Sequence, residues 1–247
     1  IKRVKMALEN LELISSSLTN SVVISSFAFL VLTWLMVYKT VYSIKLKNKH
    51  LFSFITLIVL LGWFSLVFFL GKIGFFVRND LVAPYIFISF ILLFGILQKV
   101  YYLDIIKFIG NAIPVNFIIG IQTYRIVGYG FLVLYFQGLL PAAFAFSSGV
   151  GDMIVGFSAP FVAYFYYLRK PYARKLAIIW NIIGIADLVI AISVGIIGFP
   201  RPVQLVPLEP STELLSLFPL VIIPLFAVPL ALFLHFCSLR ALRSGKA

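Results

Sequence analysis

Long uninterrupted apolar runs, punctuated by short polar knots, organise this chain. Seven runs reach the roughly 20 residues that a helix needs to cross about 30 Å of hydrocarbon. They cover approximately residues 21–43, 51–76, 81–98, 115–139, 142–168, 175–199 and 214–239. The pattern predicts an all-α polytopic membrane protein, a bundle of seven transmembrane helices forming a single transmembrane domain over 1–247. A transmembrane barrel would show short alternating segments instead. Residues 98–113, QKVYYLDIIKFIGNAI, mix polar and apolar positions and predict an interfacial amphipathic helix. Pro114 and Pro141 restart the chain before spans four and five, the latter after a tight turn at Gly138. Residues 200–212, PRPVQLVPLEPST, form an extramembrane connection, and Pro219, Pro224 and Pro229 punctuate span seven.

Composition agrees with the pattern. Of 247 residues, 62% are hydrophobic and 11% charged, whereas a soluble domain is about half apolar and a quarter charged. One globular core cannot hide such an excess. The net charge of +12 would suggest nucleic acid in a soluble protein. Here no RNA-binding aromatic motif or basic tail is present, and the cations gather in short loops, where they set orientation. One side carries Lys39, Lys45, Lys47, Lys49, Lys99, Lys107, Arg169, Lys170, Arg174, Lys175, Arg240, Arg243 and Lys246. The other carries Lys2, Arg3, Lys5, Lys72, Arg78 and Arg201, with the acids Glu9, Glu12, Asp80, Glu209 and Glu213. The bias places the N-terminus outside and the C-terminus in the cytoplasm. Met6 is a candidate start residue, and no signal-peptide cleavage pattern precedes the first span.

Subtracting these 19 loop cations from the 20 Lys and Arg leaves Arg125, in span four. Subtracting the five outer acids and Asp104 from the eight Asp and Glu leaves Asp152 in span five and Asp187 in span six. Counted from their span ends at about 1.5 Å per residue, the three lie within roughly 6 Å of one another along the membrane normal. An isolated charge at midplane costs several kcal/mol even on lenient scales. Arg125 and Asp152 are therefore expected to face each other, with Asp187 close by. Spacing supports an inward orientation. Gly149, Asp152, Gly156, Ala159 and Ala163 form one stripe of span five. Ala177, Asn181, Gly184, Asp187, Ala191 and Gly195 form another on span six. Gln122, Arg125 and Gly128 share a face of span four, and small residues let helices approach closely. One Arg and two ionised Asp would carry a net −1, so a proton shared by the carboxylates would make the cluster neutral. Gln122, Asn181 and Gln137 are candidates to complete its hydrogen bonding.

Other chemistries are disfavoured. GVGDMIVG, residues 149–156, lacks the GxxxxGK[ST] pattern of a phosphate loop. No Lys lies in the middle of span seven to form a retinal Schiff base. A single cysteine, Cys237, excludes an intrachain disulfide, and two histidines, His50 and His235, make a histidine-rich metal site unexpected. Nothing points to a cofactor, a metal or an enzyme nucleophile. His235 is placed near the cytoplasmic end of span seven, packed or interfacial; with Pro224 and Pro229 it is also a candidate gate.

The segment 122–160, QTYRIVGYGFLVLYFQGLLPAAFAFSSGVGDMIVGFSAP, is followed by WNIIGIADLVIA and IIPLFAVPLALFLHFCSLR. Its pattern QxxRxxGxxFL…GxGDxxxGxxAP resembles a group of small bacterial membrane proteins described only as hypothetical. The resemblance covers spans four to seven and brings no known activity. It implies a bacterial cytoplasmic (inner) membrane. Three functions remain in competition. A transporter of a small solute, coupled to protons, would use Arg125, Asp152 and Asp187 as its substrate or proton site. A receptor or sensor would let an external ligand break the Arg–Asp contacts. An accessory or scaffold subunit would use the cluster only to fix helix register and would bind another membrane protein. The lipid bilayer is the partner common to all three.

Overall fold

The computed structural model describes residues 16–77, 84–200 and 206–244. Met6, the cations Lys2, Arg3, Lys5, Arg78, Arg201 and Lys246, the acids Glu9, Glu12 and Asp80, and the expected first residues of span three lie outside them. Seven helices among the described residues are long and apolar enough to cross a membrane. We label them α1 (Ser16–Ser43), α2 (Lys49–Lys72), α3 (Tyr85–Tyr102), α5 (Val115–Phe136), α6 (Ala142–Tyr167), α7 (Ala173–Ile197) and α8 (Ile223–Arg243). Between α3 and α5 lies the short α4 (Asp104–Ala112).

The boundaries show where the apolar pattern misleads. Residues 98–102 belong to α3, which continues to Tyr102, and the amphipathic helix begins only at Asp104. Asp104 and Phe108 of α4 are exposed while Ile109 and Gly110 pack inward. Lys107 Nζ donates to Asp104 Oδ1 at 2.9 Å, and this bond holds the Asp104 carboxyl below the ordinary aspartate range. The last span starts later than the hydrophobic run, which opens near residue 214. Thr212–Ser216 is a single 3₁₀ turn, and helix resumes only after Pro219. Prolines without N–H groups explain the delay. At Ile223–Ala227 the new helix is wound as a π-turn, with Val228 N–H donating to Ile223 O.

α8 is the axis of the bundle. Within its most apolar window 78% of residues are buried, against 6% for α3. Its backbone is held from outside by neighbours. Pro229 cannot donate to Leu225 O; the Trp63 indole does so instead, at 2.8 Å. Tyr124 Oη donates to Ala227 O at 3.2 Å, and Gln122 Nε2 to Ala231 O at 3.3 Å. At the far end Arg174 donates through Nε and Nη2 to Leu242 O, at 3.1 and 2.9 Å. Arg240 Nη2 donates to Tyr101 O at 2.9 Å, so two guanidinium groups satisfy carbonyls at helix C-termini.

α5, α6 and α7 form the most closely packed layer against α8. The small-residue stripe of α6 makes this possible. A Cβ on Gly156 would lie 2.6 Å from Ile126 N, so only glycine admits the α5 backbone there. The outward faces carry large exposed apolar side chains, among them Ile24, Phe54, Leu66, Ile91, Phe161 and Ile183. Such a belt would be a liability in water and is the expected surface in lipid.

Candidate functional site

Span four does not run as a continuous α-helix. Residues Ile121–Gly128 are wound as a 3₁₀ helix between two α-helical segments. In that winding side chains three apart eclipse one another. Gln122, Arg125 and Gly128 thus line up on one edge, and they are the three buried residues of the stretch. Thr123 Oγ1 donates to Gly120 O at 2.7 Å, a local bond that engages the carbonyl at the start of the stretch.

Arg125 is the hub. Its Nε donates to Asp152 Oδ1 at 2.6 Å, and its Nη2 donates to Asp187 Oδ2. Nη1 lies 3.4 Å from Gly184 O and 3.3 Å from His235 Nε2. A guanidinium has no acceptor, so Nε2 accepts. His235 then carries its proton on Nδ1, which donates to Asn181 Oδ1 at 2.9 Å. The Asn181 amide nitrogen donates in turn to Ala177 O at 2.7 Å and to Ser238 Oγ at 3.0 Å. One connected network runs from Asp152 on α6 through Arg125 on α5 to Asp187 and Asn181 on α7 and His235 and Ser238 on α8. Two glycines make room for it. A Cβ on Gly151 would collide with the Asp187 carboxylate, and one on Gly184 would lie 2.5 Å from His235 Cε1.

The structure sorts the residues singled out above. Arg125, Asp152 and Asp187 meet. Asn181 belongs to the network, but through His235 rather than through a carboxylate. Gln122 is fully buried one turn away and bonds Ala231 O. Gln137 is exposed at the end of α5 and takes no part. His235 is wholly buried, beside the Trp180 ring at 5.3 Å, and so takes the packed rather than the interfacial of the two expected placements. Among the described residues no three metal-ligating side chains gather around an ion-sized gap; Asp152, Asp187 and His235 all address Arg125.

Two cavities border Asp152. The larger, about 70 Å³, lies between α3, α5, α6, α7 and α8. Its lining is apolar apart from Asp152, and it includes Phe87, Phe90, Leu188, Ala191 and Pro224. The smaller, about 40 Å³, lies between α1, α5, α6, α7 and α8 and is lined by Arg125 and Asp152 with Ser25, Ser26 and Tyr124. Ser25 and Val127 also border a groove of about 610 Å³, lined by Ser17, Asn20 and Ser21 of α1. Ser17, Ser21 and Ser25 are four residues apart and share one face of α1.

The fold and this network define an integral membrane protein with seven membrane-spanning helices among the described residues and a buried Arg–Asp–His–Asn network at its centre. A family model described as Domain of unknown function (DUF8737) matches residues 83–243, the region from just before α3 to the end of α8, and the chain belongs to that family. No curated protein matches the chain. No solved structure matches it either.

Proposed function

We propose that this protein carries a small solute across a membrane, coupled to protons, with Arg125, Asp152 and Asp187 as the site where solute or proton is held. The observation that carries this reading is the position of Asp152. Its carboxylate is bonded to Arg125 on one side and borders two cavities on the other. A residue serving only to lock helices needs no adjoining space. The π-turn and prolines of α8 support the same reading, since Pro224 lines the larger cavity at the point where the helix is irregular. Interrupted spans beside a midplane site are how transporters place backbone groups near a solute. His235, Pro224 and Pro229 are the gate elements on this view. The N-terminus faces outside, the C-terminus faces the cytoplasm, and the membrane is a bacterial inner membrane.

Infrared difference spectroscopy across bulk pH, on protein in lipid, tests this. The expected result is a protonated-carboxyl band that responds to pH and disappears in either Asp152→Asn or Asp187→Asn. A pH-insensitive spectrum, together with no solute-driven proton flux in proteoliposomes, would sink the reading. The engagement of four of the five Arg125 N–H groups, by Asp152, Asp187, Gly184 O and His235, supports a second reading as a static register lock in a scaffold subunit. That reading expects the insensitive spectrum.

A further inference from the structure

Asp152 is the polar exception in the wall of the larger cavity. Its Oδ1 is occupied by Arg125 Nε, and its Oδ2 accepts no hydrogen bond from any described residue. The Asp152 side chain keeps 15% of its surface accessible, so the carboxylate has room to accept from a guest. The charge of the network is incomplete as well. One guanidinium and two carboxylates sum to −1, because His235 acts as a neutral acceptor. A proton on the carboxylates answers the charge; in its place, so does a guest with N–H donors and a positive charge, and the apolar wall calls for an apolar body on it. The size is also bounded. A water needs roughly 10–15 Å³ of such space, so a cavity of about 70 Å³ holds a guest of only a few heavy atoms.

We propose that this cavity binds a small primary ammonium compound with a short alkyl or ring body. The ammonium donates to the Asp152 carboxylate, and the body packs against Phe87, Phe90 and Leu188. As the substrate class of the transported solute, this rests on the transport reading; as a binding site, it is tested separately. α3 supplies Phe87 and Phe90 and is the least buried of the spans, so it forms the outer wall that a guest entering from the lipid side would displace.

The test uses the full chain in lipid nanodiscs with three probes of equal carbon number: n-butylammonium, n-butanol and butyrate. Calorimetric titration and thermal unfolding are read for each. n-Butylammonium is expected to bind saturably and raise Tm, with at least tenfold weaker binding of the other two. Asp152→Asn keeps an acceptor for Arg125 and is expected to remove that preference. Ala191→Phe fills the cavity without touching Arg125 and is expected to abolish saturable binding. Phe90→Trp, on the exposed α3, narrows the same space and decides the matter if Ala191→Phe does not fold. Equal shifts from all three probes, no binding, or ammonium binding unchanged in the cavity-filled variants would overturn the proposal. Uptake of n-butylammonium into proteoliposomes separates the two readings. Ammonium binding with a pH-insensitive spectrum and no solute-driven proton flux keeps the site and removes the transport reading; proton flux driven by another solute without ammonium binding does the reverse.

Discussion

His235 Nε2 lies 3.3 Å from Arg125 Nη1, joining two side chains 110 residues apart in the chain. The contact links α8, the axis of the bundle, to the cation that the two aspartates surround. The consequences of removing members of this network follow from what each leaves behind.

Arg125→Ala leaves Asp152 and Asp187 buried without a counter-charge. Breaking a buried ion pair from one side costs on the order of 3–5 kcal/mol. The variant is expected to yield little folded protein. A melting curve in detergent within a few degrees of the parent would contradict this.

Asp152→Asn and Asp187→Asn each retain an oxygen acceptor for Arg125 and bring the network's charge to zero. Each single variant is expected to fold, and the double variant to lose far more than their sum, since it strands a buried cation. Size-exclusion profiles and Tm values of the three variants decide it. Severe loss in both single variants would count against a shared proton.

Gly184→Ala places a methyl group against the His235 ring, and overpacking of this kind costs about 1–3 kcal/mol. His235→Ala leaves Arg125 Nη1 and Asn181 Oδ1 without their ring partner. The two substitutions are expected to be strongly non-additive, because the methyl group needs the ring in order to clash. Additive unfolding free energies would show that His235 does not pack where the structure places it.

Trp63→Phe removes the donor from Leu225 O, which Pro229 cannot serve. Loss of a buried donor costs roughly 1–3 kcal/mol. In a Pro229→Ala background the backbone N–H returns, and the same Trp63→Phe change is expected to cost less. An identical cost in both backgrounds would mean that the indole matters only for packing.

Orientation is testable because Cys237 is buried and gives little background. In a Cys237→Ser chain, Ser17→Cys is expected to react with a membrane-impermeant maleimide from outside. Lys170→Cys is expected to react only after permeabilisation. The reverse pattern would invert the topology.

The meeting of Arg125, Asp152 and Asp187 was legible in the sequence because charge inside a bilayer is scarce. Once the loop charges are assigned, few partners remain. The small-residue stripes were legible for a similar reason, as lipid gives helices no hydrophobic cause to associate. His235 was not legible as a partner of Arg125. Its apolar neighbours in ALFLHFCSL look alike at any depth, and depth was counted from the start of the hydrophobic run at residue 214. Proline chemistry delays the helix by about two turns. Gln122 and Asn181 were assigned to the right faces but not to the right partners. Periodicity gives a direction around a helix, whereas Gln122 finds a backbone carbonyl of α8 and Asn181 finds an imidazole. The 3₁₀ winding of span four left no trace in the apolar pattern either, because its i, i+3 edge matches one edge of an α-helix.

That winding has a mechanical consequence. A 3₁₀ turn rises about 2.0 Å per residue and an α-turn about 1.5 Å. Rewinding Ile121–Gly128 to α would therefore draw the two ends of span four together by about 4 Å and rotate one against the other by roughly 160°. Arg125 sits in the middle of the stretch. Its ion pairs run to two other helices, α6 through Asp152 and α7 through Asp187, so they brace the span against that screw motion at its midpoint.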